Sequence, residues 1–361
     1  MNKKIAVALS GGVDSAVSAA LLHDAGFSVS GIFMKTYEAE DTYADECSWK
    51  EDQQAAKQVC DYLGIHFETW NFEREYEQTV LKYFFSELQK GRTPNPDVMC
   101  NQDIKFGTFL SKALEKKFDY IATGHYAQLT CVSGRNYKLL RGNDDKKDQS
   151  YFLCRVPQSA FEHVLFPIGH MNKQDVRQYA RKYGLPNAER KDSQGICFIG
   201  KINVTDFIKQ HMRVSRGPIV TTDGKQIGTH EGLPLYTIGQ REGLKIGGAG
   251  QPYYVSEKRL ETNELVVVQG RDNKHLYSIS CIIEDLVYVA KPDRIPKKIL
   301  AQIRYGQQAQ DATFSLRTDS TAEVTFLSPQ WAVTPGQLCA IYTENECLLS
   351  GIIFSTVAKV A

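Results

Sequence analysis

The sequence predicts an α/β protein: a parallel sheet with helices on both faces, then a small loop-rich region, then a C-terminal antiparallel β-barrel. Three observations predict this. Strand-like and helix-like segments alternate through the first half, which implies a parallel sheet covered on both sides. Glycines recur every few residues from Gly224 to Gly250, which disfavours long helices. Beyond Glu264, segments rich in Val, Ile, Tyr and Thr are separated by turn residues, as in a small barrel.

Taken in order, residues 4–9, 28–34, 66–71 and 120–123 read as short buried strands, and residues 16–25, 49–63, 76–88 and 106–116 as helices. Ligands of such sheets bind beyond the carboxyl ends of the strands. Ser10, Met34, Asn71 and Gly124 fall at or just after those ends and are candidates to surround one nucleotide. Residues 173–183 form an amphipathic helix whose basic polar face could lie against a nucleic-acid backbone. Gly247-Gly248-Ala249-Gly250 lacks the spacing of a dinucleotide fingerprint. The later strands are residues 264–268, 278–289, 299–305, 312–317, 322–327, 337–343 and 347–354, with turns at Lys291-Pro292-Asp293 and Thr334-Pro335-Gly336.

Bulk properties narrow the class. A chain of 361 residues suggests two or three domains, and 42% hydrophobic residues exclude a disordered chain. The net charge of +1 requires any nucleic acid to be held by local basic patches. Nine cysteines without a C-x-x-C pair argue against a disulfide scaffold or zinc ribbon and for a reducing, cytoplasmic compartment. The apolar run after Lys3 and Lys4 is too short for a signal peptide. No apolar stretch approaches the ~20 residues that span a bilayer, so no membrane association is expected.

The most informative segment is Leu9-Ser10-Gly11-Gly12-Val13-Asp14-Ser15, between the first strand and first helix. The first amides of a helix lack intrahelical partners, and the helix dipole adds positive potential there. Gly11 and Gly12 let the backbone approach a ligand, while Ser10 and Ser15 add hydroxyls. The loop lacks the Lys of the G-x-x-x-x-G-K-[ST] motif and carries Asp14 instead. Ser-Gly-Gly-x-Asp-Ser resembles the pyrophosphate loop of ATP pyrophosphatases, which adenylate a carbonyl oxygen and release pyrophosphate. The plainer reading is a tight strand-to-helix turn with Ser15 near the N-cap.

Thr93-Pro94-Asn95-Pro96-Asp97-Val98-Met99-Cys100-Asn101 is the second candidate. Its prolines predict a stiff loop presenting Asn95, Asp97 and Cys100; the alternative is a surface turn with a buried Cys. The third is Gly195-Ile196-Cys197-Phe198-Ile199-Gly200, where Cys197 is either a sheltered reactive thiol or a strand core residue. Cys47, Cys60, Cys131, Cys154, Cys281, Cys339 and Cys347 read as core. His125, after Gly124, reads as a structural histidine. Lys146-Lys147-Asp148-Gln149-Ser150-Tyr151 mixes cations, an amide and an aromatic, as suits phosphate and an unstacked base, or is a solvated loop.

Together these segments resemble the tRNA-specific 2-thiouridylase family. The matching pieces are residues 10–15, Asn95-Pro96-Asp97-x-x-Cys100-Asn101, Ile104-Lys105-Phe106, Gly124-His125-Tyr126, Lys147-Asp148-Gln149-Ser150-Tyr151-Phe152, the Cys197 segment, Tyr236-Thr237-Ile238-Gly239-Gln240-Arg241 and Arg304-Tyr305. The resemblance implies an ATP pyrophosphatase (Rossmann-like) catalytic domain over residues 1–202, a small central domain over 203–272 and the barrel over 273–361. It implies ATP and Mg²⁺ as co-substrate and ion, tRNA as substrate, a persulfide sulfur donor, and a monomer. ATP would be held by Ala8, Leu9, Ser10, Gly11, Gly12, Val13, Asp14, Ser15, Met34 and Gly124. Asn95, Pro96 and Asp97 would meet the target base, and Lys147, Asp148, Gln149, Arg304 and Tyr305 the tRNA. Cys197 would carry the persulfide and Cys100 would attack it, or otherwise release its outer sulfur onto C2, leaving a Cys100–Cys197 disulfide, with Asp97 transferring a proton; no metal ligand is implied in the protein. Two other readings are a different adenylating synthetase or ligase of the pyrophosphate-loop type, which would not need the cysteines, and a non-enzymatic RNA-binding protein.

Overall fold

Strand β1 (Lys4–Ala8), buried from its second residue on, is the middle of a five-stranded sheet. With β2 (Ser28–Lys35), β3 (His66–Asn71), β4 (Tyr120–Ala122) and β7 (Val164–Leu165) it forms the order β3-β2-β1-β4-β7, every pairing parallel. The computed structural model describes residues 2–38, 49–134, 136–191, 203–247, 250–289 and 295–359.

Helix α1 (Val13–Asp24) starts earlier than residue 16, because Gly12 takes the extended N-cap conformation at φ −78°, ψ 160°. It is apolar nearly all round because it is buried on two sides. Ala19 and Leu22 pack with Ile5 and Val7 of the sheet, while Val13, Val17 and Ala20 pack with Val176 and Ala180 of helix Lys173–Lys182. Helix α2 (Trp49–Leu63) and β3 match expectation. Two other helices are longer than expected: helical backbone runs over residues 73–89 and 96–115, each containing a π-wound stretch, Glu77–Leu81 and Cys100–Phe109. Cys100 therefore lies inside a helix, not in the stiff loop expected from the prolines. The cause is local: Asn95, extended as a pre-proline residue must be, caps the helix through Val98 N (3.3 Å), with Pro96 in the first turn.

The hairpin β5 (Ala127–Ser133) and β6 (Asn136–Arg141) has no counterpart in the expectation. Its β6 edge pairs with β17 (Glu346–Lys359), so the first domain is hydrogen-bonded to the last. One core cluster runs across this joint and includes Leu139, Tyr151, Leu338 and Tyr342.

In the central region, β8 (Gly217–Val220), β9 (Gln226–His230), β10 (Tyr253–Arg259) and β11 (Glu264–Gln269) form a four-stranded sheet. Residues 264–269 thus belong to this sheet and not to the barrel, because β11 pairs with β10 and, in parallel, with β8. The barrel comprises β12 (Tyr277–Tyr288), β13 (Lys298–Gln302), β14 (Gln310–Thr318), β15 (Thr321–Trp331), β16 (Leu338–Thr343) and β17. The order is β12-β15-β14-β13-β16-β17, and β12–β17 pairing closes it.

Cys60, Cys154, Cys281, Cys339 and Cys347 are buried as expected, but Cys131 is exposed, on the outer hairpin. Burial pushes the Cys60 thiol up to about 12 and Cys154 to about 11, which keeps both inert. Cys47 and Cys197 lie outside the described residues. No helix among the described residues is long and apolar enough to cross a membrane.

Candidate functional site

The carboxyl ends of β1, β2 and β4 open on a cavity of about 710 Å³. The sheet order explains its place: the chain leaves β1 toward β2 on one side, β4 lies on the other, and the loops after β1 and β4 diverge around a crevice.

One wall is the loop of residues 9–15. No side chain caps α1 at Gly12, so its first-turn amides face the cavity available to an anion. The two serines shape the loop. The Ser10 amide donates to Ser15 Oγ (3.3 Å), Ser15 Oγ donates to the Gly12 carbonyl (3.1 Å), and the Gly12 amide donates to Ser10 Oγ (3.4 Å). Gly11 is required for a reason not visible in sequence. Its φ is +78°, and a Cβ would sit 2.5 Å from the Asp52 carbonyl oxygen and 2.6 Å from Arg190 Nη1. Its carbonyl accepts from Asn187 Nδ2 (2.9 Å) and Arg190 Nη1 (3.2 Å). Gly11 does not line the cavity, whereas Ala8, Leu9, Ser10, Gly12, Val13, Asp14 and Ser15 do.

An aspartate beside an anion site needs its charge answered. Lys173 Nζ donates to both Asp14 oxygens (2.7 and 2.8 Å) and Tyr126 OH donates to Oδ1 (2.8 Å). Asp52, also on the cavity, is paired with Arg190 at 2.5 Å. The basic helix expected to meet nucleic acid is thus turned in part to internal work, with Arg181 left on the surface. Lys173 holds Asp14, Arg177 donates to the Ala188 and Arg190 carbonyls, and Arg181 pairs with Glu189.

Met34 and Gly124 line the cavity as expected. Gly124 has a further reason to be glycine: a Cβ would lie 2.7 Å from Ser15 N and 2.8 Å from the Asp14 carbonyl carbon. Its bare backbone lets the β4 loop touch the start of α1. His125 is buried and neutral. Burial, then Lys105, holds its pKa well below the ordinary range, and its Nδ1 is 2.7 Å from Thr123 Oγ1. It nevertheless lines the cavity, a position that its structural reading did not anticipate.

The opposite wall is the helical run from Pro96. Asp97, Asn101 and Lys105 project into the cavity at four-residue spacing, one helix face. Asn101 and Lys105 stood in the matching segments without an assigned role because the helix was expected to begin only at 106; a start at Pro96 makes the spacing visible. Asn101 Nδ2 donates to the Phe152 carbonyl (3.2 Å), but its Oδ1 is buried without a hydrogen-bond partner among the described residues. Such an acceptor is suited to an N–H of a bound base. Cys100, next to it, is 0% exposed, belongs to the core cluster and does not line the cavity. Asn95 and Pro96 build the helix start and also do not line it.

Lys147, Gln149 and Tyr305 reach the cavity rim. Tyr305, 39% exposed, stacks on Phe152 with centroids 4.3 Å apart, so the barrel contributes an aromatic edge. Gln149 Oε1 accepts from Tyr126 N (3.0 Å). Asp148 and Arg304, by contrast, are committed inside the protein. Asp148 pairs with Arg141 (2.7 Å) and accepts from Gly142 N and Ser150 N (both 3.0 Å). Arg304 donates to the Ala332 carbonyl and to Thr334 Oγ1 (both 3.1 Å). Neither lines the cavity. Among charged groups, Lys35, Lys105 and Lys147 face Asp14, Asp52 and Asp97. Asp14 and Asp52 are answered by Lys173 and Arg190 from outside, and Lys35 by Glu38 and Glu73, so it is the α1 amides that give the cavity its preference for an anion. Among the described residues, no group of three His, Cys, Asp or Glu side chains converges as a metal cage.

A parallel sheet with an uncapped helix amine end on a charged crevice defines a nucleotide-binding α/β domain joined to a β-barrel. Family models agree: a tRNA methyl transferase HUP domain matches residues 3–201, a tRNA methyl transferase PRC-barrel domain 205–269, and an aminomethyltransferase β-barrel domain 278–353. The tRNA-specific 2-thiouridylase MnmA of Nitrosomonas eutropha is 47% identical over 99% of this chain and 100% of its own. That of Halalkalibacterium halodurans is 45% identical over 99% and 96%. The chain belongs to the tRNA-specific 2-thiouridylase family. Among solved structures, a 4-thiouridine synthetase–RNA complex with bound ATP is 17% identical, with a TM-score of 0.36 over 58% of this chain and 50% of that chain.

Proposed function

We propose that this protein replaces the C2 oxygen of the wobble uridine of tRNA with sulfur, using ATP to activate that oxygen. The observation that carries the reading is the convergence of the uncapped α1 amides, Asp97 and the orphan Asn101 oxygen on one cavity, in a chain of this family.

The residues divide the work. The amides of residues 13–15 and the Ser10 hydroxyl hold the β,γ-phosphates of ATP, with Ser15 shaping the loop through the Gly12 carbonyl, and Met34 and Gly124 border its nucleoside. Mg²⁺ would arrive with the phosphates, as that ion commonly does, and offset their charge. The uridine, drawn out of its stack, docks between Asp97 and Asn101, with Tyr305 and Phe152 offering a stacking face. Its C2 oxygen attacks the α-phosphorus and pyrophosphate leaves. Asp97 exchanges the proton at the base. Cys197 carries a persulfide from a persulfide donor. The Cys100 thiolate attacks the inner sulfur, forming the Cys100–Cys197 disulfide and freeing hydrosulfide. Hydrosulfide adds at C2, AMP departs, and a two-electron reductant restores both thiols. Cys100 must first become accessible; the π-wound turn that begins with it is a place where a helix can change register. The protein works as a monomer in the cytoplasm, with Lys147 and Gln149 touching the tRNA.

The test is nucleoside mass spectrometry after incubation with tRNA, ATP, Mg²⁺ and a persulfide donor. The expected product is a wobble uridine heavier by sulfur in place of oxygen. Pyrophosphate release without that product would point to another adenylating enzyme, and neither signal would point to an RNA binder.

A further inference from the structure

A second cavity, of about 380 Å³, lies where the three parts of the chain meet. Residues 90–93, immediately before the Pro94–Asn101 motif, form one wall; β10 supplies Lys258, and the barrel supplies Ser278 and Thr356. The wall is pinned: Thr93 N donates to the Pro335 carbonyl (2.9 Å) and Gln337 Nε2 donates to the Thr93 carbonyl (2.8 Å).

The other lysine, arginine and carboxylate groups on this cavity have answers. Lys90 pairs with Glu87 (2.7 Å), Arg92 with Glu87 (3.2 Å) and Glu284 (2.7 Å), and Glu257 lies 3.7 Å from Arg259. Lys258 is the exception: its Nζ is shielded from solvent and has no hydrogen-bond partner among the described residues. A buried ammonium without counter-charge or acceptor is strongly disfavoured, and burial alone pushes this one down to about 8. A fold keeps such a group where something else supplies the missing charge. The space is that of a ligand pocket, and the neighbouring hydroxyls are donors an anion would use.

We propose that this junction cavity is an anion site for a phosphate group, with Lys258 as its charge partner and the Ser278 and Thr356 hydroxyls as further donors. Occupancy would add a charged contact beside residues 90–93, which lead into the helix start that carries Asp97. The phosphate is either that of a free small molecule or one of an RNA backbone; the second source rests on the tRNA reading above.

The experiment uses the full chain, wild type and Lys258→Met, each saturated with a non-hydrolysable ATP analogue so that the first cavity is filled. Equilibrium dialysis with inorganic phosphate should show one site per wild-type chain, weakened tenfold or more in the variant. Release of that phosphate on adding tRNA, with a salt slope of tRNA binding about one unit shallower in the variant, assigns the site to an RNA phosphate. Retention of phosphate with tRNA bound assigns it to a free compound. Equal phosphate binding and equal salt slopes in both proteins overturn the proposal. Neither readout depends on thiolation, so failure here is separate from failure of the proposed activity. Met removes a buried charge at similar length, so the variant should melt no lower than wild type in phosphate-free buffer. If it does not fold, Ser278→Ala carries the test: binding weakened severalfold supports the site, and undiminished binding overturns it.

Discussion

Lys173 and Lys258 are both lysines beside a cavity, and they differ in one respect. Lys173 meets a carboxylate, that of Asp14, at 2.7 Å; the amino group of Lys258, though buried, has no hydrogen-bond partner among the described residues. At the first cavity the anion-binding potential comes from main-chain amides, and side-chain charges are balanced around them. At the second, a single side chain supplies the potential and leaves it unbalanced. A site built from backbone is tied to a short contiguous segment, whereas a site built from side chains needs distant segments to meet.

The comparison breaks first if chemistry does not occur at the first cavity. Cys100→Ser should lower thiolation by about a thousandfold or more, as loss of a nucleophile does, while tRNA-dependent pyrophosphate release continues. Thiolation at near wild-type rate would remove Cys100 from the scheme. Next in size is Gly124→Ala. The new Cβ overlaps the backbone of Asp14 and Ser15, which should cost about 2–3 kcal/mol in denaturant unfolding and raise KM for ATP. An unchanged KM would mean that the loop and β4 are not coupled.

Lys173→Met sharpens the contrast directly. It leaves the Asp14 carboxylate without its cation, in a pair only partly exposed (14% and 30%). Stability should fall by about 1–2 kcal/mol, between surface and buried pairs, the opposite sign from Lys258→Met. Equal effects of the two substitutions would erase the distinction. Tyr305→Ala should weaken tRNA binding by about 1 kcal/mol through lost stacking and leave KM for ATP alone; a filter-binding titration decides.

The smallest effect concerns a lysine pair on the surface. Lys209 and Lys245 hold Glu231 at about 2, mainly through the hydrogen bonds they donate. Because the folded pKa lies below the ordinary value of 4.5, the stabilisation is complete above that value and is lost as pH falls toward 2. Melting curves of Glu231→Gln and wild type should therefore converge on acidification through this window and differ slightly above it. A constant offset at all pH values would discard the assignment.

The first strands and helices and the barrel strands from residue 278 on were legible because each is written in contiguous residues, whereas the β5–β6 hairpin and the place of residues 264–269 were not. Ile5-Ala6-Val7-Ala8 followed by Ser10-Gly11-Gly12 declares a strand, a turn and a helix start by local sterics alone. Asn101 and Lys105 were within reach of the same logic, hidden only by a helix start set ten residues late. What the linear chain could not declare is which charges meet. That Lys173 answers Asp14, that Arg304 is spent on internal hydrogen bonds, that Gly11 is shaped by Asp52 and Arg190, and that Lys258 has no hydrogen-bond partner among the described residues all depend on contacts between residues far apart in sequence. Backbone conformation is a short-range property of the chain, whereas charge balance and close packing are long-range ones, and only the folded arrangement determines them.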